Sequence, residues 1–224
     1  MKKAIWILLA MLGTIQVYAQ DKSRDSTYSN WYYEGREKLY QTLKGKRYDV
    51  VFFGNSITER GPWQELVGRR HKIGNRGIGG DNTFGMKARI ANVMKSRPKK
   101  IFLMMGINDI GRGLPPEWSL KNYEEIIRII RNASPKTKIY VQSILPLNES
   151  VLKYDYLLGK ENLVRNLNKG IEDLAQKYNL VYVDVKEALA DDYVLKEEYT
   201  KDGIHLNADA YIRWVEYLKE KKHL

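Results

Sequence analysis

Cysteine is absent from the 224-residue sequence, and histidine occurs only three times. The first absence excludes disulfides and a lipid-bearing cysteine at any cleavage site. The second, with no grouping of metal-ligand residue types, leaves no metal or other cofactor to expect. Long apolar runs are scarce as well. Ala4 to Val17 is mostly apolar but too short and too weakly flanked for a stable membrane span. Preceded by Met1-Lys2-Lys3 and followed by the small residue Ala19, it reads as a secretory signal peptide over residues 1–19. The protein is therefore expected to be exported, periplasmic or secreted, with no membrane span after signal removal. Internal repeats, low-complexity tracts and an evident linker are also missing, so residues 20–224 read as one domain large enough to bury a core. Acidic residues are in deficit, giving a formal net charge of +11. The basic residues are spread along the chain rather than clustered. They read as a solvated surface, and no nucleic-acid partner is expected.

Apolar runs and helically spaced segments alternate through the rest of the chain. Residues 20–30 look like a loose polar leader. Asn30 to Leu43 is expected to be a helix with Tyr33, Leu39, Tyr40 and Leu43 on its buried stripe. Strands are expected at Asp49–Phe53, more weakly at His71–Asn75, and then at Lys100–Met105, Lys138–Ile144 and Val181–Asp184. The intervening helices are expected at Asn82–Arg97, Ser119–Asn132, Leu163–Tyr178 and Asn207–Lys221. For Asn82–Arg97 the apolar positions are Phe84, Met86, Ile90, Val93 and Met94, and Pro98 stops the pattern. Strands with unbroken apolar runs are buried on both faces. The order predicts an α/β fold, a mostly parallel sheet between two helical layers, whose site lies at the carboxyl ends of the strands.

The polar motifs fall at those ends. Gly54-Asn55-Ser56 follows the first expected strand, Asn75-Arg76-Gly77-Ile78-Gly79-Gly80-Asp81 follows the second, and Gly106-Ile107-Asn108-Asp109 follows the third. Asp202-Gly203-Ile204-His205 lies just before the last helix, where a loop can reach the same edge. Singly, each has an ordinary explanation as a turn, a helix cap or a surface histidine. Together they supply a nucleophile in Ser56, a base in His205 and, three residues away, Asp202 to hold the tautomer. An attacked carbonyl needs preorganised donors, for which the backbone N–H groups of Ser56 and Gly80 and the side-chain amide of Asn108 are candidates. Asp109 is expected to act structurally, capping or bracing its loop. His71 and His223 have no partners that suggest a role.

These four blocks resemble the SGNH (GDSL-like) hydrolase family, in the family's order and across most of the chain. The family's usual Gly-Asp-Ser is here Gly54-Asn55-Ser56, which reads as a subfamily mark. The resemblance implies a three-layer flavodoxin-like fold and metal-free ester hydrolysis through an acyl-enzyme. It implies the same roles for Ser56, Asp202 and His205, with oxyanion donors at Ser56, Gly80 and Asn108. The wording from Gly54 to Gly61 is most similar to the platelet-activating-factor-acetylhydrolase-like and sialate O-acetylesterase-like branches, which remove short acyl groups.

The expected substrate is therefore a small-molecule or glycan ester, with acetylated sugars favoured by the expected export. Trp63, Trp118, Tyr154 and Tyr156 are candidate sugar platforms, although aromatics equally serve as packing. Two alternatives use the same triad: an acyltransferase to sugar hydroxyls, and a short-chain lipid or phospholipid acylhydrolase. A long-chain lipase is disfavoured because nothing resembles a long apolar lid. A flavodoxin-like cofactor binder is disfavoured because no Gly-x-x-x-x-Gly-Lys phosphate cradle is present.

Overall fold

Phe52, Phe102 and Tyr140 occupy the same register on three neighbouring strands, and their rings stack at 4.9 and 4.5 Å. They mark the centre of the computed structural model, which describes residues 25–43 and 45–224. The expected signal peptide lies outside the described residues. Five strands, β1 (Val50–Gly54), β2 (Ile73–Gly77), β3 (Lys100–Met104), β4 (Lys138–Gln142) and β5 (Val181–Val183), form one sheet in the order β2-β1-β3-β4-β5. Every pairing in it is parallel. This is the flavodoxin-like order, in which the chain reverses its winding between β1 and β3 and opens a crevice at their carboxyl ends.

Nine α-helices are found among the described residues: α1 (Trp31–Thr42), α2 (Ser56–Glu59), α3 (Trp63–Val67), α4 (Thr83–Met94), α5 (Ile107–Gly111), α6 (Pro116–Ala133), α7 (Glu161–Lys177), α8 (Lys186–Leu189) and α9 (Ala208–Glu220). A small antiparallel pair, β6 (Ala190–Asp191) and β7 (Val194–Leu195), precedes the last loop. Neighbouring residues of a strand point to opposite faces of the sheet. On the Phe52 face lie Trp63 of α3, stacked on Phe52 at 4.0 Å, and Trp214 of α9, edge-on to Trp63 at 5.0 Å. On the Phe53 face lies α4, followed by α6 and α7. Each fully buried Phe or Ile contributes roughly 1.5–3 kcal/mol of hydrophobic stabilisation, so these two seams dominate the core.

The helix starts at asparagine are as the sequence predicts. Asn30, Asn82 and Asn207 each cap a first turn by accepting backbone N–H groups. Other details differ. On α1 the buried positions are Tyr33 and Tyr40, two turns apart, while Leu39 is 46% exposed. On α4, Phe84 lies off the buried face and Arg89 lies on it. The second strand sits two residues later than expected because Arg76 is buried, its guanidinium between the Tyr40 and Tyr48 rings at 4.7 and 4.8 Å. The short helices α2, α3, α5 and α8 and the β6–β7 pair escape sequence reading because one or two turns carry no measurable period.

Arg89 is fully enclosed. Its Nε donates to Asp81 Oδ2 at 2.8 Å, and its two terminal nitrogens donate to Arg76 O and Gly54 O, each at 2.8 Å. It lies over the Phe53 ring at 4.3 Å. Asp81 Oδ1 has no hydrogen-bond partner among the described residues and faces Gly85, where a Cβ would come within 2.1 Å of it. Burial pushes the Asp81 carboxyl up to about 6, against the pull of the Arg89 charge and hydrogen bond. Removing one partner of such a pair leaves an uncompensated buried charge. Arg89→Met should therefore lower stability by about 3–5 kcal/mol, measured from urea unfolding. The double variant Arg89→Met/Asp81→Asn should recover part of that loss. A loss below about 1 kcal/mol, the range of an exposed pair, would show that the charge is not needed.

Candidate active site

The serine is delivered by a turn with almost no room in it. At Gly54, the last residue of β1, a Cβ would meet Thr58 Oγ1 at 2.2 Å and Met104 O at 2.6 Å. Asn55 then caps α2 through its Oδ1 and the N–H of Ile57, leaving Ser56 as the first helical residue. Tyr211 of α9 donates to Ile57 O at 2.6 Å, and Trp63 Nε1 donates to Thr58 O at 2.7 Å. The two short helices after β1 are thus tied to the aromatic seam.

The loop before α9 brings His205 to the same edge. Thr200 Oγ1 donates to His205 O at 2.7 Å and accepts from Gly203 N at 3.0 Å. Gly203 has φ of +79° and lies against Asn148 O and Leu152 Cα, where a side chain would collide. His205 Nε2 is 2.9 Å from Ser56 Oγ, and His205 Nδ1 is 2.8 Å from Asp202 Oδ2. Asp202 Oδ1 also accepts the backbone N–H of His205 at 2.7 Å. An ionised carboxylate only accepts, so Nδ1 carries the proton and Nε2 presents its lone pair to the serine hydroxyl. Tyr154 OH donates to Asp202 Oδ2 at 3.3 Å, and its ring meets the imidazole edge-on at 5.7 Å.

Burial is the largest influence on His205 and lowers its pKa; the Asp202 hydrogen bond opposes it, and the nearby Arg60 charge reinforces it. For Asp202, burial would raise the pKa. The N–H of His205, its imidazole and the N–H of Ile204 outweigh burial and hold the carboxyl below its ordinary value. The pair is thus set as neutral imidazole beside carboxylate at neutral pH.

The expected oxyanion donors lie at the ends of β1, β2 and β3. Gly80 has φ of +73°, is exposed, and its N–H has no acceptor among the described residues. The N–H of Ser56 is the first of its helix and has none inside it. One N–H of the Asn108 amide donates to Asp81 O at 2.8 Å, which orients the side chain and leaves its second N–H uncommitted. Gly106, with φ of +121°, turns the chain from β3 into α5 just before it.

Asp109 does not join this group. It is buried, accepts from Thr83 N at 3.0 Å, and is hydrogen-bonded by the Thr83 and Ser119 hydroxyls. Burial raises its pKa despite those bonds. It braces the start of α4 rather than capping its own helix.

The candidate sugar platforms are divided. Trp63 is 1% exposed and belongs to the core, because stacking on Phe52 buries its whole ring; no sugar can reach it. Trp118 lies on α6, edge-on to Phe84. Tyr154 touches the triad, and Tyr156, 55% exposed, meets it at 5.8 Å. His71 is exposed and His223 packs beside Tyr140, both away from Ser56. No local pattern signals the Tyr154–Asp202 contact, since the two residues are 48 positions apart. Among the described residues no cluster of metal-ligating side chains is found.

The electrostatics lead to a direct test. An NMR titration of the His205 imidazole should give a pKa below that of free histidine. Arg60→Ala, by removing a cation that disfavours the imidazolium, should move it upward. A value above that of free histidine, or a downward move in the variant, would contradict these electrostatics.

The comparisons with known proteins fit this geometry. The family model described as GDSL-like Lipase/Acylhydrolase matches residues 52–213. A solved structure proposed to be a platelet activating factor from Streptococcus pneumonia is 34% identical, with TM-score 0.77, covering 85% of this chain and 92% of that one. A GDSL-like lipase from Bacteroides thetaiotaomicron is 22% identical, with TM-score 0.71 over 86% of this chain and 98% of that one. A carbohydrate acetylesterase from Sinorhizobium meliloti shares the fold at 17% identity and TM-score 0.63, over 80% and 99% of the two chains. No curated protein matches the sequence. With this sheet order, and with the family's blocks gathered at one edge, the chain belongs to the GDSL-like lipase/acylhydrolase family, a family of carboxylic ester hydrolases.

Proposed function

We propose that the protein is an exported serine esterase that removes short acyl groups, acetyl above all, from carbohydrate esters through an acyl-enzyme. The observation that carries the chemistry is the unbroken chain from Ser56 Oγ to His205 Nε2 and from His205 Nδ1 to Asp202 Oδ2, at 2.9 and 2.8 Å. Ser56 Oγ bonds to the ester carbonyl carbon as His205 Nε2 takes its proton, and the carbonyl electron pair moves onto oxygen. That oxyanion is met by the N–H groups of Ser56 and Gly80 and by the free N–H of Asn108. Collapse breaks the bond to the alcohol, which leaves with the proton from the imidazolium. Water, deprotonated by His205, then releases the acid by the same steps. Asp202 keeps the imidazole in one tautomer and stabilises its charged form.

The carbohydrate part of the reading is supported by Tyr154 beside His205, by the exposed Tyr156 packed against Tyr154, and by the leader-like residues 1–19. A second reading, a short-chain lipid or phospholipid acylhydrolase, is favoured by the 34% identity to the Streptococcus structure. Parallel kcat/KM measurements on acetylated sugars and on an acetyl-bearing phospholipid separate the two. An acceptor sugar added to the assay separates hydrolysis from acyl transfer.

Ser56→Ala should lose at least ~10³-fold in kcat while remaining folded, and a fluorophosphonate should label Ser56 alone. Labelling elsewhere, or an active alanine variant, would reject the mechanism. Acetyl esters should exceed octanoyl esters in kcat/KM; the reverse order would place the protein with the long-chain lipases.

Asn108 and Asp109 should part company. Asn108→Ala should lower kcat by ~10²–10³-fold with little change in KM, because its amide acts on charge that develops in the transition state. Asp109→Asn should lower the unfolding midpoint more than the turnover, since its carboxylate holds Thr83 and Ser119. A silent Asp202→Asn beside an inactive Asp109→Asn would show that the acid is wrongly placed.

A further inference from the structure

Glu59 lies one helical turn beyond Ser56 on α2, with its side chain only 15% exposed. Its Oε2 accepts the backbone N–H of Gly79 at 2.8 Å. Its Oε1 accepts from Tyr32 OH at 2.8 Å and is paired in charge with Arg36, whose Nε lies 2.9 Å away; both partners are on α1. One carboxylate therefore joins three parts of the molecule: the helix that carries the serine, the loop after β2, and the first helix of the described chain. The packing here is close. A methyl group on Gly79 would lie 3.1 Å from Glu59 Oε2, 3.5 Å from Tyr32 Cε1 and 3.9 Å from Ser56 Cβ.

We propose that Glu59 is a positioning residue of the oxyanion hole, and that α1 is the element that holds it in place. The inference rests on the esterase reading above. Gly79-Gly80 is a conformationally permissive dipeptide, and the N–H expected to meet the oxyanion belongs to its second residue. That N–H lies in the peptide plane immediately after Gly79. An acceptor fixed on the Gly79 N–H holds the preceding peptide plane, which is the base from which the φ and ψ of Gly79 aim this one. Because the acceptor sits on α2, Gly80 N–H and Ser56 Oγ are held in one frame. Asn75 Nδ2 strengthens the tie by donating to Glu59 O at 2.9 Å, with Gly77 pressed against the same residue's backbone. A partly exposed ion pair such as Arg36–Glu59 contributes little to stability. Its effect is to prevent the carboxylate from rotating away from Gly79. Preorganised donors act on the transition state and hardly at all on the bound ester, so the network should appear in kcat.

The test uses p-nitrophenyl acetate turnover, fluorophosphonate labelling of Ser56, thermal unfolding, and inhibition by methylboronic acid, a tetrahedral mimic of the acetyl intermediate. Glu59→Ala should lower kcat by ~10–10²-fold with KM within about twofold, the scale expected of a misplaced donor. Its affinity for methylboronic acid should weaken in proportion to the loss in kcat, and its acid-limb pH profile should stay at the wild-type position, because His205 is untouched. Tyr32→Phe, which removes one hydroxyl and keeps the ring, should lower kcat ~3–10-fold without changing the unfolding temperature, so the inference stays testable if Glu59→Ala folds poorly. If wild-type protein turns over the ester and is labelled at Ser56, but both variants keep its kcat, the Glu59 inference is overturned and the esterase reading stands. A fall in kcat without a fall in boronate affinity overturns the Glu59 inference in the same way. If wild-type protein neither turns over the ester nor is labelled, both readings fail.

Discussion

The buried guanidinium of Arg89 is the constraint on which the edge of the sheet depends. It takes the carbonyls of Gly54 and Arg76 and the carboxylate of Asp81 at once, so β1, β2 and the loop after β2 share one donor. A guanidinium is suited to this because its donors form a rigid planar fork, and it retains its charge when desolvated. Three anchored acceptors in a dry setting leave no alternative arrangement of similar energy. Asp81, once fixed by its side chain, offers its backbone carbonyl to the amide of Asn108. The orientation of Asn108, on the far side of β1, is thus inherited from a side chain on α4.

The working edge is assembled from loops that are individually weak and collectively determined. The sheet order places the ends of β1, β2 and β3 side by side, and the reversal of winding opens the crevice there. The fourth loop, with Asp202 and His205, has no strand to aim it. It is fixed by Thr200, by the bridge between Thr200 and Leu206, and by contact of Gly203 with residues 148–152. Tyr154, whose hydroxyl donates to Asp202, lies two residues beyond that stretch. One loop therefore buttresses the other, and the short Ser56–His205 distance is the result.

Three aspartates lie near this edge, and their surroundings divide the labour. Asp81 and Asp109 are buried and have raised pKa values. Asp202 is partly open, rich in donors, and held below its ordinary value. Of the three, Asp202 is the one placed to accept from an imidazole. Asp81 is bound by the Arg89 guanidinium, and Asp109 accepts from the backbone and hydroxyl groups of Thr83 and Ser119. Residue type alone does not distinguish them; the balance of desolvation and hydrogen bonding does.

Local pattern along the chain was enough for the α/β class, the alternation of elements and the blocks that identify the family. These depend on local period, on helix starts such as Asn30, Asn82 and Asn207, and on short spacings such as that from Asp202 to His205. The same spacing separated Asp202 from Asp109, since only Asp202 lies three residues from a histidine. Other assignments had to wait for tertiary contacts. Trp63 became core and Tyr154 a neighbour of the triad, though both read equally well as surface platforms. Arg89 became the buried anchor of the edge, although on a helical wheel it looks like one more solvated charge. The ties of Glu59 to Gly79 and α1 join residues 20 to 27 positions apart. Such assignments depend on which partner a side chain meets after the chain has closed. That is a property of packing and desolvation across the fold, and neither leaves a periodic mark in a sequence.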